Sequence, residues 1–279
     1  MGYEIRTMPF HEVETTLEWA AREGWNPGLH DAECFYSIDP DGFFMGVLDG
    51  KVIARAAVLN YDENYAFAGL YIVDPEYRAH GYGMQLVEAM VGHAGTRNIG
   101  IDGVVDMQEK YKRLGYRFAH RDIRFSLQND VEAPIAPELT PVADVPFETL
   151  AAYDRKHFPA PRDTFLKCWI TQSNAVGVAF MVGETMKGYG VIRQCQQGYK
   201  IGPLFADTPE IAEALYDGLS NVAKGEPVLL DIPDANEAGM KMAARRGMVQ
   251  VFECARMYLK GDPGLPLDRI FGLTSLEAG

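Results

Sequence analysis

Gly69-Leu70-Tyr71-Ile72-Val73-Asp74-Pro75-Glu76-Tyr77-Arg78-Ala79-His80-Gly81-Tyr82-Gly83-Met84-Gln85-Leu86-Val87-Glu88-Ala89-Met90 is the stretch that decides how the chain folds. β-branched and aromatic residues between Leu70 and Val73 predict a strand. Pro75 ends it, because proline has no N–H to give a ladder. Leu86, Val87, Met90 and Val91 recur at helical spacing and predict a helix. Between the two lies Arg78-x-x-Gly81-x-Gly83, where glycine permits positive φ and lets a ligand approach the backbone. Free N–H groups at a helix start, with the positive end of its dipole, form an anion site. The stretch therefore predicts a strand that feeds a phosphate onto a helix N-terminus.

Two common phosphate loops fail on the residues. A dinucleotide fingerprint needs a third glycine where this chain has Leu86. A P-loop needs Gly-Lys-Ser/Thr, and none follows. What remains is Val73-x-Pro75-x-x-Arg78-x-x-Gly81-x-Gly83 after a strand. This resembles the acetyl-CoA signature of the GNAT superfamily of acetyltransferases. The resemblance implies that Tyr71, Ile72 and Val73 lie against the pantetheine and thioester. It also implies that Arg78, Ala79, His80, Gly81, Tyr82, Gly83 and Met84 form the turn around the CoA pyrophosphate. Arg78 reads as a support for that turn, since backbone amides suffice for the anion. The plainer alternative is an ordinary strand–turn–helix connection with glycines in it.

The bulk numbers bound the class of protein. The 279 residues allow one large or two ordinary domains. The content is 47% hydrophobic and 23% charged, as in a soluble globular protein. A net charge of −13 argues against nucleic acid as a partner, which needs a basic face. Cys34, Cys168, Cys195 and Cys254 show no Cys-x-x-Cys and no zinc spacing. They read as free thiols in a reducing cytoplasm, and no metal site is expected. No window approaches a signal peptide or a membrane span.

Read in order, residues 1–130 give βα(α)βββαβαβ, the element order of one GNAT domain. Strand and helix alternating after a meander implies an α/β fold with a mixed, twisted sheet flanked by helices. Residues 131–146 carry prolines and acids and read as a linker. Residues 147–279 repeat the order, with Asp102 and Asp231 at matching places in their strands. The expectation is a tandem GNAT fold with a degenerate second copy. Its equivalent of the quoted stretch, Leu204-Phe205-Ala206-Asp207-Thr208-Pro209-Glu210, lacks the glycine turn and adds acids. One cosubstrate, acetyl-CoA, is therefore expected per chain, in the first domain.

The chemistry asks for an acid and for a base. Tyr111, four residues before Gly115, resembles the GNAT tyrosine that reaches the CoA sulfur. The plainer alternative is a helix tyrosine packed on the sheet. Many GNAT enzymes carry a glutamate on the quoted strand, but Ala66 to Val73 holds no acid. Asp102 is the candidate base or substrate anchor, because aspartate is depleted in strands; its echo in Asp231 favours a structural role. Asp31, Glu33 or a water relay are the other options. Trp25, Asn26 and Asp31 are the expected acceptor-binding residues, since the loop after the first helix overlies the acceptor site in GNAT folds. The alternative for Trp25 is a core plug under a turn. Asp154 to Arg162, with Trp169 after it, reads as an interdomain seam or as a substrate wall.

The expected activity is direct N-acetylation of a small primary amine or an amino-terminal group in a ternary complex. A non-catalytic CoA-binding sensor and a protein-lysine acetyltransferase are the other readings. Neither nucleic acid nor membrane is an expected partner, and the residues are compatible with an oligomer.

Overall fold

The computed structural model describes residues 2–279. The first half runs β1 (Tyr3–Thr7), α1 (Phe10–Arg22), α2 (Asp31–Tyr36), β2 (Phe43–Leu48), β3 (Lys51–Asn60), β4 (Tyr65–Val73), α3 (Tyr82–Ala94), β5 (Asn98–Val104), α4 (Gln108–Arg113) and β6 (Arg117–Gln128). The second runs β7 (Leu139–Pro141), α5 (Phe147–Asp154), α6 (Asp163–Thr171), β8 (Ala175–Val182), β9 (Thr185–Gln194), β10 (Tyr199–Ala206), α7 (Pro209–Ser220), β11 (Pro227–Pro233), α8 (Glu237–Arg245), β12 (Val249–Tyr258) and β13 (Ile270–Gly272). Part of the expected linker is thus an edge strand, with Leu139 to Pro141 paired to β8.

The strands join one mixed sheet, in the order β1-β2-β3-β4-β5-β12-β6-β11-β10-β9-β8-β7, with β13 branching from β10. The order shows an exchange. β6 closes the first half in sequence but pairs with β11 of the second. β12 closes the second half but pairs with β5 of the first. The exchange is fixed by two buried ion pairs. Arg256 sits opposite Asp102 and grips it with Nε and Nη2 at 2.5 and 2.7 Å. Arg124 sits opposite Asp231 and grips it at 2.6 and 2.8 Å. The two aspartates that matched in sequence are therefore matched in structure.

Helices cover both faces. On one, α3 buries Leu86, Met90 and Ala94 against the alanines of β3 and β4, and α7 and α8 cover the second half. On the other, α1, α2, α5 and α6 share a single core that crosses from one half to the other. α1 presents Val13, Thr16, Leu17 and Ala20 at helical spacing to it. Cys34 of α2 and Cys168 of α6 are bonded across the seam, with Cα atoms 5.3 Å apart. This corrects the expectation of four free thiols, and removes a ground for inferring a reducing compartment. Among the described residues, no helix is long and apolar enough to cross a membrane.

Removing one member of a buried ion pair leaves an uncompensated charge and costs about 3–5 kcal/mol. Arg256→Met should therefore lower the urea midpoint strongly, in one transition that both halves share. Asp102→Leu combined with Arg256→Met should regain only part of the loss, because buried Asp122, 3.4 Å from Arg256 Nε, loses its partner in both. A single variant as stable as the parent would remove the pair from its anchoring role.

Candidate active site

The site begins where β4 and β5 part. They pair in parallel from Tyr65 opposite Asn98 to Ala68 opposite Ile101, and no further. β4 continues to Val73, while β5 turns its pairing to β12. A wedge opens at the carboxyl ends of two parallel strands, where open α/β sheets bind ligands. At its apex β4 bulges. Leu70 takes φ of +54°, and the ladder with β3 slips by one residue between Gly69 and Ile72. An extra residue leaves the ladder there and turns its main chain outward. The side chain of Asp102 is fully buried, but the residue as a whole is half-buried, so β5 main chain also faces the wedge.

Below the wedge, Asp74 accepts from the Glu76 N–H and holds a short turn, and Ala79 and Gly81 take φ of +68° and +85°. The N–H groups of His80, Gly81, Tyr82 and Gly83 find no acceptor among the described residues. Nothing crowds the space over Gly81. Successive free N–H groups at the start of a 13-residue helix make a cradle that fits a pyrophosphate. Arg78 is turned back on the protein: Nε donates to the Val73 carbonyl at 2.8 Å and Nη2 to Glu23 at 2.6 Å. His80 Nδ1 donates to the Arg78 carbonyl at 2.8 Å. Both side chains shape the cradle. Met84 lies exposed on the first turn of α3. Of the strand residues, Tyr71 and Val73 face the α3 side, while the Ile72 side chain is buried on the other and only its main chain is open.

Tyr111 reaches the wedge from α4. Its ring lies on Gly103, where any side chain would collide with it. Burial first, then Tyr71 and Cys254, push its hydroxyl up to about 12. It is protonated at neutral pH. Full transfer to a thiolate of ordinary pKa near 8.5 is uphill by about 5 kcal/mol, so Tyr111 suits hydrogen-bond donation to a desolvated leaving thiolate. Burial and the nearby Asp102 and Asp122 also push the Cys254 thiol up, which makes it a poor nucleophile.

Four expected site residues are engaged by partners within the protein. Both Asp102 oxygens are held by Arg256 and its side chain is sealed from the wedge, so it is not placed to take a proton from an acceptor there. Asp31 is buried, paired with Arg193 at 2.8 and 3.1 Å and with the Gly28 N–H. Asn26 spends its amide on both main-chain groups of Gln197, and its carbonyl accepts from Lys200. Trp25 is half-buried in the shared core, its carbonyl held by Arg124. Their loop is thus a clasp between the halves. Asp154 likewise grips Arg162 inside the seam. Sequence reasoning missed Leu70 and Gly103. Gly103 carried a signal, since glycine inside a strand marks a close approach; the Leu70 bulge carried none.

The second half has the same wedge, but it is filled. β10 and β11 pair only from Tyr199 to Ile201, and β13 then lies against Leu204 and Phe205. The helix start beyond has no cradle: Thr208 caps it and Pro209 has no N–H. Among the described residues, no group of three or more His, Cys, Asp or Glu is arranged to hold a metal ion.

Two copies of one acetyl-CoA fold, one open and one filled, define the class, and sequence comparison agrees. Residues 10–116 match the family model of the "Acetyltransferase (GNAT) family", and residues 150–272 match that of an "Acetyltransferase (GNAT) domain". The chain belongs to the GNAT acetyltransferases and is an acyltransferase of tandem type. It is 30% identical over 271 residues to the holothin acyltransferase of Pseudoalteromonas sp. (strain SANK 73390), covering 96% of this chain and 92% of that protein. It is 26% identical over 234 residues to an uncharacterized N-acetyltransferase, YitH, of Bacillus subtilis (strain 168), covering 82% of each. A putative acetyltransferase from Pyrococcus horikoshii shares the fold with a TM-score of 0.85 at 20% identity, over 100% of this chain and 96% of that one. A tandem GNAT protein from the clavulanic acid biosynthesis pathway does so with 0.63 at 13%, over 94% and 99%.

A Cβ on Gly83 would collide with the Tyr71 hydroxyl under the cradle. Gly83→Ala should weaken CoA binding at least tenfold by calorimetry. Arg78→Ala, which removes only a support, should weaken it about threefold or less. The reverse order would make the Arg78 side chain the anion's main contact.

Proposed function

We propose that the protein transfers acetyl directly from acetyl-CoA to a small primary amine, in a ternary complex formed by the first half. The observation that carries this reading is the open wedge between β4 and β5, with a free N–H cradle below it and Tyr111 at its side. Residues 1–130 are read as the catalytic domain, 131–146 as a linker, and 147–279 as a degenerate domain that supplies β12 and the far wall. One acetyl-CoA binds per chain, because β13 fills the second wedge.

Acetyl-CoA supplies the activated carbonyl when bound. The cradle from Arg78 to Met84 holds its pyrophosphate, and the main chain of Tyr71, Ile72 and Val73 lines its arm. A main-chain N–H at the β4 bulge stabilises the oxyanion, a contribution typically of about 3 kcal/mol. As the amine nitrogen bonds to the carbonyl carbon, the C–S bond breaks and the amine sheds a proton to solvent. Tyr111 Oη donates to the departing sulfur. Direct transfer is favoured over an acyl-enzyme because the Cys254 thiol is held protonated.

The relative named holothin acyltransferase supports acyl transfer as the class of reaction. One observation keeps a second reading alive: β4 carries no carboxylate, which suits a CoA sensor that does no chemistry.

Thiol release from acetyl-CoA over a panel of amines decides between them. Tyr111→Phe should lower kcat about 100-fold and leave the acetyl-CoA KM within about twofold. Tight CoA binding with no release from any amine would establish the sensor. Full activity in Tyr111→Phe would exclude the tyrosine as the acid.

A further inference from the structure

The wedge has a far wall that the second half supplies. β5 pairs with β12 as far as Val104 opposite Cys254 and no further. β12 begins at Val249, so its first residues run on past the end of β5 and pair with β6 alone. They face the end of β4 across the gap. On the cradle side the gap leads to Tyr111. On the opposite side it is lined by Leu70 and Ile72 of β4 and by Cys254 and Phe252 of β12, which belong to one apolar cluster with Trp25. Phe252 and Cys254 lie two residues apart and so share a face of the strand. Leu70, Ile72 and Cys254 are buried, whereas Phe252 and Trp25 are half-buried. The apolar strip comes to the surface at these two rings.

On the same face, β4 is closed up to Gly69. The Glu277 carbonyl lies against Gly69, where any Cβ would collide with it, and the Ala278 carbonyl accepts from Tyr61 Oη at 2.6 Å. Glu277 is 3% exposed, and its carboxylate interacts with buried Arg124, Arg193 and Lys200. Residues 273–279 are therefore a fixed cover, and a molecule approaching the gap from this face meets Phe252 and Trp25 instead. Arg124 sets the position of both. Its Nη1 donates to the Trp25 carbonyl at 2.5 Å, and its guanidinium lies 5.6 Å from the centre of the Phe252 ring. The charge of Arg124 is spent on Asp231. Glu253, next to Phe252 along the strand, takes the other face and is paired with Arg121 at 3.1 Å. The strip thus offers apolar area and no charge of its own.

We propose that Phe252, a residue of the second half, sets the acceptor specificity of the first: the amine enters the gap beside the β4 bulge, and the body that carries it lies on the strip against Phe252 and Trp25. The body these walls admit is apolar and uncharged. A second charge or a hydroxyl on it would give up its water and find no partner there. An apolar body gains from burial in proportion to the area it covers. The inference deepens the acetyl-transfer reading and rests on it, but binding can be measured without turnover.

The test is thiol release from acetyl-CoA by the full chain, with two amines of near-equal basicity, 2-phenylethylamine and 2-aminoethanol. The kcat/KM of the parent should favour the first by about tenfold or more. Phe252→Ala should cut that preference about fivefold through the amine KM, and leave the acetyl-CoA KM within about twofold. Phe252→Leu keeps an apolar side chain and should retain most of the preference. Trp25→Leu leaves the main-chain bond to Arg124 in place and should also cut it. A merely structural role would slow both amines alike and leave their ratio unchanged. Equal kcat/KM for the two amines in the parent, or a ratio unchanged in both Phe252→Ala and Trp25→Leu, overturns the assignment. Calorimetry with CoA present separates the two claims. Binding of 2-phenylethylamine that Phe252→Ala weakens, without release from any amine, retains the strip and rejects acetylation. Release that ignores Phe252 retains acetylation and rejects the strip.

Discussion

Two bidentate arginine–aspartate pairs hold the centre of this sheet, and the active wedge depends on them. Burying an aspartate and an arginine costs several kcal/mol per ion. That cost is offset only if the geometry is close to ideal and the charges meet face to face. Arg256 on Asp102 and Arg124 on Asp231 meet the condition, each with two hydrogen bonds from the same fork. The consequence is register. A slip of one residue would turn each arginine to the other face of the sheet and leave its aspartate unpaired. β12 is thereby fixed beside β5 at Asp102, Gly103 and Val104, just past the point where β5 leaves β4. The wedge stays open because β5 has another partner for its main chain.

The same fold carries two wedges, and local sequence decides which one works. In the first half the strand ends in a turn with Ala79 and Gly81 at positive φ and a helix start that bears no cap. In the second, Thr208 and Pro209 satisfy or remove the donors, and β13 pairs with the strand that a cosubstrate would otherwise line. A site is lost here by satisfying its backbone groups internally, which adds stability as it removes binding. The filled wedge also launches residues 273–279 across the seam. The degenerate copy thus covers the face of β4 opposite the cradle.

How much of this was legible in the sequence follows the range of the interactions. The glycine turn, the strand before it and the helix after it rest on neighbours in the chain, and all could be read. So could the order of elements and the repeat. Gly103 could have been read but was not, because its reason is a ring on α4. The exchange of β6 and β12 could not, since Asp102 meets a partner 154 residues away and Asp231 one 107 away. Asp31 and Asn26 look like acceptor contacts only while Arg193 and Gln197, 162 and 171 residues on, are out of view. The cysteines misled for the same reason, with 134 residues between the bonded pair. Polar residues in a loop advertise hydrogen bonding, and their sequence neighbours do not say to whom.

The missing carboxylate on β4 then acquires a physical sense. A lysine-like amine, with pKa near 10.4, needs about 4–5 kcal/mol to stand neutral at pH 7, and a base on the strand would help to supply it. Nothing in this wedge does: Asp102 and Asp31 are spent on arginines. Apolar walls act in the same direction as a base, because low dielectric disfavours the ammonium form. An amine attached to an aromatic ring is neutral at pH 7 already, its lone pair being shared with the ring. Such an acceptor asks nothing of a base and only requires that its leaving partner be stabilised, for which a buried, protonated hydroxyl such as that of Tyr111 is suited. The absence of a carboxylate on β4 is thus compatible with an acceptor whose amine is already neutral at pH 7.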